Sequence, residues 1–220
     1  SYHGTTVRQN RRMRITIDGH TILVADGQYI ELDRLPIQLE DIRRITITRG
    51  PNAAAFGENA FLANVNFETL SRDDPRGWSL RGGGGDNARR RVGLGINEQF
   101  GSYAVAFSAG TERDGGYDYL DTEHTPRRDG KTIDQARLAV SRDVGDSGRV
   151  QLDASGYGSR HQTGFRPLRF SGQQQNDGRF IGLAYQHERG EATRIDLLIS
   201  HNRQTEFVRQ HGCYTPDAIA

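Results

Sequence analysis

Residues 39–70 read LEDIRRITITRGPNAAAFGENAFLANVNFETL. Two carboxylates, Glu40 and Asp41, sit early in a short helical start, where the positive end of a helix favours them. Arg44-Ile45-Thr46-Ile47-Thr48 then alternates polar and apolar residues, the period of a strand with one packed face. The strand breaks on Arg49-Gly50-Pro51. Ala53-Ala54-Ala55-Phe56 suits a short helix with Gly57 as its stop, and a second alternating segment, Asn64-Val65-Asn66-Phe67, closes the unit.

This order resembles the carboxy-terminal half of the plug domain of TonB-dependent outer-membrane receptors. The residues that carry the resemblance are Asp41-Ile42, Arg49-Gly50-Pro51, Phe56-Gly57, Ala60 and Asn64-Val65-Asn66. The sequence departs from the family pattern at Leu62-Ala63, where Gly-Gly is usual, and at Leu70-Ser71, where Thr-Lys or a similar pair is usual. The resemblance extends back to about residue 3. His3-Gly4 stands where the family has Arg-Gly, and Met13-Arg14-Ile15-Thr16-Ile17 alternates as a half-buried strand ending on Asp18-Gly19, a strong turn signal. Pro36 opens the short helix leading to Glu40, and Ile37, Leu39 and Ile42 can face a small core.

Ser71 to Gly77, SRDDPRG, is polar with a proline and marks the best domain boundary. The resulting division is a plug domain over 1–72, a linker over 73–77 and the amino-terminal part of a transmembrane barrel over 78–220. Beyond Gly77 we expect seven strands: Gly77–Gly85, Ala88–Asn97, Ser102–Arg113, Lys131–Arg142, Arg149–Arg160, Arg179–Glu188 and Ala192–Thr205. Tyr103, Val105, Phe107 and Ala109 share one face, as do Val150, Leu152 and Ala154, and Ile195, Leu197 and Ile199; Leu198 is out of pattern. Joints at 97–101, 143–148 and 189–191 are short, while 114–130 and 161–178 are long, the asymmetry of barrels with short periplasmic turns and long external loops. Trp78, Tyr103 and Tyr185 suit either an interfacial aromatic girdle or the core of a soluble sandwich. The fold class expected is mainly β: a small α+β plug followed by antiparallel strands of a truncated transmembrane β-barrel. Ser1 begins mid-pattern, so the chain reads as an internal piece, and about seven strands fall short of the roughly 22 of a closed transporter barrel.

Composition is compatible with this. The chain has 220 residues, 27 of them glycine, and a net charge of +1 with both signs interspersed, which gives no electrostatic case for nucleic acid. Mean hydropathy is −0.73, and no apolar run reaches the roughly 20 residues of a spanning helix; barrel strands need apolar residues only at alternate positions. Cys213 is the one cysteine, either a lone thiol or half of a loop disulfide.

Enzymatic constellations are not found. Gly82 to Gly85 has no following Lys-Ser or Lys-Thr, so it makes no phosphate loop. The seven histidines are scattered without metal-ligand spacing, and Asp114, Asp118, Asp121 and Glu123 fall short of a calcium loop. No catalytic residue, cofactor or metal is expected. Arg89-Arg90-Arg91 in a strand would split between faces.

The resemblance implies energised uptake of a scarce nutrient (a ferric siderophore, cobalamin or haem) across a Gram-negative outer membrane. The partners it implies are TonB with its inner-membrane energising complex, outer-membrane lipid and a small-molecule substrate. It places Arg8, Arg11, Gln28 and Tyr29 at plug apices as substrate contacts. It assigns Asp18, Gly19, Arg49, Gly50, Pro51 and Gly57 to the plug motif and its lock, with plug arginines pairing to glutamates on the wall. On spacing alone, Arg49 is equally an exposed residue at a turn. The other class considered is a soluble or surface β-rich binding or adhesion domain, in which the apolar faces of two sheets pack on each other.

Overall fold

The computed structural model describes residues 13–22, 35–50, 60, 62–71, 73–116, 119–120, 126–127, 130–165, 170–189 and 193–211. Two main sheets account for most of them. The smaller is built from β1 (Met13–Ile17), β2 (His20–Thr21), β3 (Ile42–Arg49) and β4 (Ala63–Thr69), in the order β2-β1-β4-β3. β1 and β2 form a hairpin whose two-residue loop is Asp18-Gly19, both at positive φ (48° and 80°), the mirror-image turn that matches strand twist. β4 lies parallel to β1 and antiparallel to β3, so it is central and mostly buried.

Two plug expectations change. The helix expected after Pro36 is a single 3-10 turn, Leu39–Asp41, closed when Asp41 Oδ2 accepts from the Gln38 amide at 2.9 Å. It cannot extend because the β-branched strand Ile42–Arg49 begins at once. Ile45 and Ile47 do not face a packed core: both are exposed, because β3 is the sheet edge and the core lies under β1 and β4. The helix expected at Ala53–Phe56 lies outside the described residues.

The larger sheet is an antiparallel meander: β5 (Gly77–Gly84), β6 (Arg90–Phe100), β7 (Tyr103–Asp114), β10 (Lys131–Val144), β11 (Gly148–Phe165), β12 (Phe170–Arg189) and β13 (Thr193–His211). A small hairpin, β8 (Tyr119–Leu120) with β9 (Pro126–Arg127), lies between β7 and β10. All seven expected strands are present, but β11 to β13 run to 18, 20 and 19 residues. The long loop expected at 161–178 is therefore mostly ladder, with Arg160 opposite Gln175 and Gln162 opposite Gln173. Gln173 to Asp177 is polar at every position, so the sequence carries no alternation there while the backbone ladder persists.

Register assigns the faces. Trp78, Ile96, Phe107, Leu138, Ala154 and Ile181 form one cross-strand row, and Val105, Val140, Leu152, Leu183 and Ile199 another. These outward rows are largely open, with Trp78 80% and Ile199 71% exposed. The rows between them are small or polar: Ser79, Gly95, Ser108, Arg137 and Ser155, then Asn97, Ala106, Ala139, Asp153 and Gly182. A sandwich would have buried the apolar rows. Leu152 and Leu197 are instead 44% and 57% exposed, and the small sheet packs on the opposite face. Tyr103 and Tyr185 share an outward row through Arg142 and Val150, near the short turns.

Inner glycines are spaces for other side chains. A Cβ at Gly178 would collide with the ring of its cross-strand partner Tyr157, whereas one at Gly82 would meet nothing within 4 Å. Gly178→Val should lower unfolding stability in urea by about 1–3 kcal/mol through this overpacking. Gly82→Val should change it by less than about 0.5 kcal/mol.

Candidate functional site

The contact zone between the small sheet and the inner face of the large one is built around Arg137. This β10 side chain is 2% exposed. Its guanidinium pairs with Asp153 on neighbouring β11, donates to Thr69 Oγ1 at 2.7 Å and lies 3.5 Å from Asp18 Oδ2. Thr69 passes the contact on, donating from Oγ1 to Asp18 Oδ2 at 2.5 Å and from its amide to Asp18 Oδ1 at 2.8 Å. Asp18 therefore answers both the end of β4 and the wall. It can do so because the Asp18-Gly19 turn projects it from the hairpin; Asp tolerates the positive φ and supplies the charge.

A second seat is electrostatic. Glu40, in the 3-10 turn, pairs with Arg91 on β6 and lies 3.7 Å from Arg81 on β5. A third is polar and close-fitting: Gln135 Nε2 of β10 donates to the Leu35 carbonyl at 2.8 Å, and Gln38 occupies the space over Gly93 and Gly110. Any side chain at Gly110 would collide with Gln38.

The fourth seat is apolar. Phe180, an inward residue of β12, joins the core of Ile15, Ile17, Ile22, Leu35, Ile37 and Phe67. The His20 ring meets it edge-on, centroids 5.4 Å apart and planes at 69°. Gly182, two residues on, leaves room for Phe180 and His20. Burial lowers the His20 pKa below the ordinary imidazole range, and Asp18 draws it partly back. Leu198, the residue that broke the β13 alternation, is inward: its Cδ2 would lie 3.6 Å from a Cβ at Gly19.

The chain leading into β5 is tied down as well. Asn97 Nδ2 donates to the Ser71, Asp74 and Pro75 carbonyls at 3.2–3.3 Å, and Arg149 pairs with Asp73 at 3.1 Å.

Of the residues singled out from sequence, Asp18 and Gly19 meet in the Arg137 seat. Arg49 stands exposed at the end of β3, with Gly50 behind it at φ 103°, its amide donating to the Leu62 carbonyl at 2.9 Å. Arg8, Arg11, Gln28, Tyr29, Pro51, Gly57 and Cys213 lie outside the described residues. The described ion pairs across the zone have the opposite polarity to the expected one: carboxylates Asp18, Glu40 and Asp73 come from the plug side, arginines Arg137, Arg91, Arg81 and Arg149 from the wall. Sequence reasoning missed Arg137. Its signal was present: a cation at an inward position of β10, followed inward by the small Ala139 and Ser141. Arg91 is inward toward Glu40, while Arg90 lies opposite Arg113 on the outward face, so the arginine run does split. Among the described residues no group of three or more His, Cys, Asp or Glu could hold a metal, and no helix is long and apolar enough to cross a membrane.

Solved structures share this architecture over most of the chain. The chain is similar to the ferric yersiniabactin uptake receptor FyuA of Yersinia pestis (TM-score 0.71, 15% identity, 89% of this chain and 32% of that one). It is similar as well to the ferric-catecholate import receptor Fiu of E. coli K12 (0.69, 13%, 90% and 32%) and the FrpB iron transporter of Neisseria meningitidis (0.68, 14%, 90% and 32%). The chain has the fold of the TonB-dependent receptors. It spans about a third of the length of these structures. No family model matches its sequence. In this fold the smaller sheet corresponds to part of the plug, and the meander to part of the barrel wall.

Two outcomes are expected of this zone. Arg137→Gln leaves Asp153 buried without its cation and should cost about 3 kcal/mol; Asp18→Asn, at a partly open position, should cost about 1–2 kcal/mol. Hydrogen exchange of the β1 and β4 amides would read both. His20 is held neutral, so its contribution is complete above the ordinary imidazole pKa of about 6.5 and is lost as pH falls through its lowered folded value. Protection of β1 should therefore weaken as pH falls below about 6.5 and through the lowered folded value, and His20→Phe should remove that part of the dependence.

Proposed function

We propose that this chain belongs to an outer-membrane receptor that takes up a scarce metal chelate or similarly large nutrient, gated by its plug and driven by TonB. The observation that carries the reading is the Arg137 seat. A plug held on the inner face by a few desolvated polar contacts, rather than by a continuous apolar interface, can be released by a modest pull and can reseat afterwards. Each such contact is strong while dry and weak once water enters, so partial withdrawal of the plug would let water loosen the rest.

In this reading substrate binds at the long-hairpin end, between the external loops and the plug apices of Arg8, Arg11, Gln28 and Tyr29. Arginine suits an anionic chelate, and tyrosine offers an aromatic face with a hydroxyl. The plug-side carboxylates Asp18 and Glu40 work as latches toward the wall. The role is transport without bond chemistry, and the location is the outer membrane of a Gram-negative cell. The ferric-chelate receptors among the structural neighbours support the iron class over cobalamin; the copper transporter OprC has the same fold (TM-score 0.51, 16% identity) and keeps other metals in view.

The test is growth of a deletion strain on single ferric siderophore, haem, cobalamin or copper sources, together with uptake of the labelled chelate. One source should fail to support growth, and the missing uptake should return with the intact gene and stop when the proton gradient is collapsed. Normal growth and uptake on every source would refute the proposal.

A further inference from the structure

His20 sits on the plug side of the contact zone and is 6% exposed. It pairs with Ile17 in the β1–β2 hairpin, so its ring shares the core face with Ile17 and Phe67. Among the described residues its imidazole makes no hydrogen bond or ion pair; the ring meets that of Phe180. The wall closes tightly behind it, since a Cβ at Gly182 would lie 3.2 Å from the His20 Cε1. A neutral imidazole suits such a place and an imidazolium does not. The charged ring carries two N–H donors, and burying them without acceptors costs free energy.

The surrounding charges decide where a protonated ring would turn. β12 presents Phe180 and Gly182 and β13 presents Leu198, none of them charged. Arg14 and Glu68 lie on the opposite face of the small sheet. Asp41 accepts from the Gln38 amide, and Asp153 on β11 is paired with Arg137 on β10. Asp18, two residues before His20, is the carboxylate whose charge acts on the imidazole, and its side chain is 24% exposed. Asp18 is also the plug's own contribution to the Arg137 seat, 3.5 Å from the guanidinium and bonded to Thr69. A charged His20 would give that one carboxylate a second cation to answer.

We infer that His20 is a proton-operated release for the plug: once protonated, it competes with Arg137 and Thr69 for Asp18 and leaves the Phe180 contact for water. This rests on the outer-membrane reading above and gives the gate a control beside the pull of TonB. Protons reach it from the short-turn side. Gly19 faces Leu198, which pairs with Ala184, four residues below Phe180 toward the short β12–β13 turn. The sign follows from burial, which lowers the His20 pKa in the seated plug. The released plug therefore binds the proton better, and acid favours release. One proton shifts the balance by at most about tenfold per pH unit below the ordinary imidazole value of about 6.5.

The test uses the intact receptor, purified and reconstituted without TonB in liposomes loaded with radiolabelled sucrose. Efflux is measured at pH 7.5 and 5.5, both above the ordinary carboxylate range of about 4, so Asp and Glu stay charged. Wild-type efflux should rise severalfold at pH 5.5, up to the ceiling of about tenfold that one proton allows. His20→Phe should remove the rise, and His20→Gln serves in its place if that variant does not insert. His201→Phe, on the outward row opposite Ile181, should keep it. Arg137→Gln should raise efflux at both pH values, because it breaks the seat directly. Wild-type efflux that ignores pH, or a rise that survives the loss of His20, would overturn the release alone, provided Arg137→Gln still leaks. No leak from Arg137→Gln would remove the plug-seat reading and this inference together.

Discussion

Arg137 is a guanidinium taken out of water. One of its terminal nitrogens is answered by two parts of the chain at once, while its Nε is buried without a partner among the described residues. Asp153 comes from the adjacent wall strand; Thr69 and Asp18 come from the plug. Without the plug, the cation would keep one carboxylate and lose the rest of its shell. Plug placement and wall integrity are therefore one energetic question. The buried charge also fixes position: an apolar contact can slide by a residue, whereas this one is satisfied only when the Asp18-Gly19 turn lies against β10 and β11.

The rest of the arrangement makes that approach possible. Glycine and serine on the inward rows of β6 and β7 let Gln38 reach the wall, and Gly182 leaves space where Phe180 enters the plug core. The same strands turn leucine, isoleucine and phenylalanine outward. Period-two alternation thus lets one sheet meet a polar insert on one side and an apolar surface on the other. A soluble sandwich would need the reverse, with its apolar rows facing inward.

Much of this was legible in the sequence. Alternation in Tyr103 to Ala109 and Val150 to Ala154 marked strands and faces, and Asp18-Gly19 and Arg49-Gly50-Pro51 marked turns. The upper halves of β11 and β12 were not legible, because Gln173 to Asp177 is polar on both faces and is held by the backbone ladder and polar side-chain contacts such as Asn176 to Ser159, with no apolar alternation to mark it. The short helix before β3 was overread: Glu40 and Asp41 serve a wall contact and a local cap, and one 3-10 turn suffices for both. Arg137 and Leu198 each interrupted a pattern, and both contact the plug. Interruptions of that kind show where two units meet, but sequence alone does not pair them, since their partners are 119 and 179 positions away, at Asp18 and Gly19.

The central claim is that one face of the wall holds the plug and the other meets lipid, and the adjacent residues Phe180 and Ile181 divide it. Phe180 is 5% exposed in the plug core, and Ile181 is 50% exposed on the outward row. The most direct measurement places a single tryptophan at each position in turn, Phe180→Trp or Ile181→Trp, in a Trp78→Phe background, and records quenching by lipids brominated along their acyl chains. The expected result is strong quenching at 181 and little at 180. Equal quenching at the two positions, or none at 181, would contradict a wall with one lipid face and one plug face.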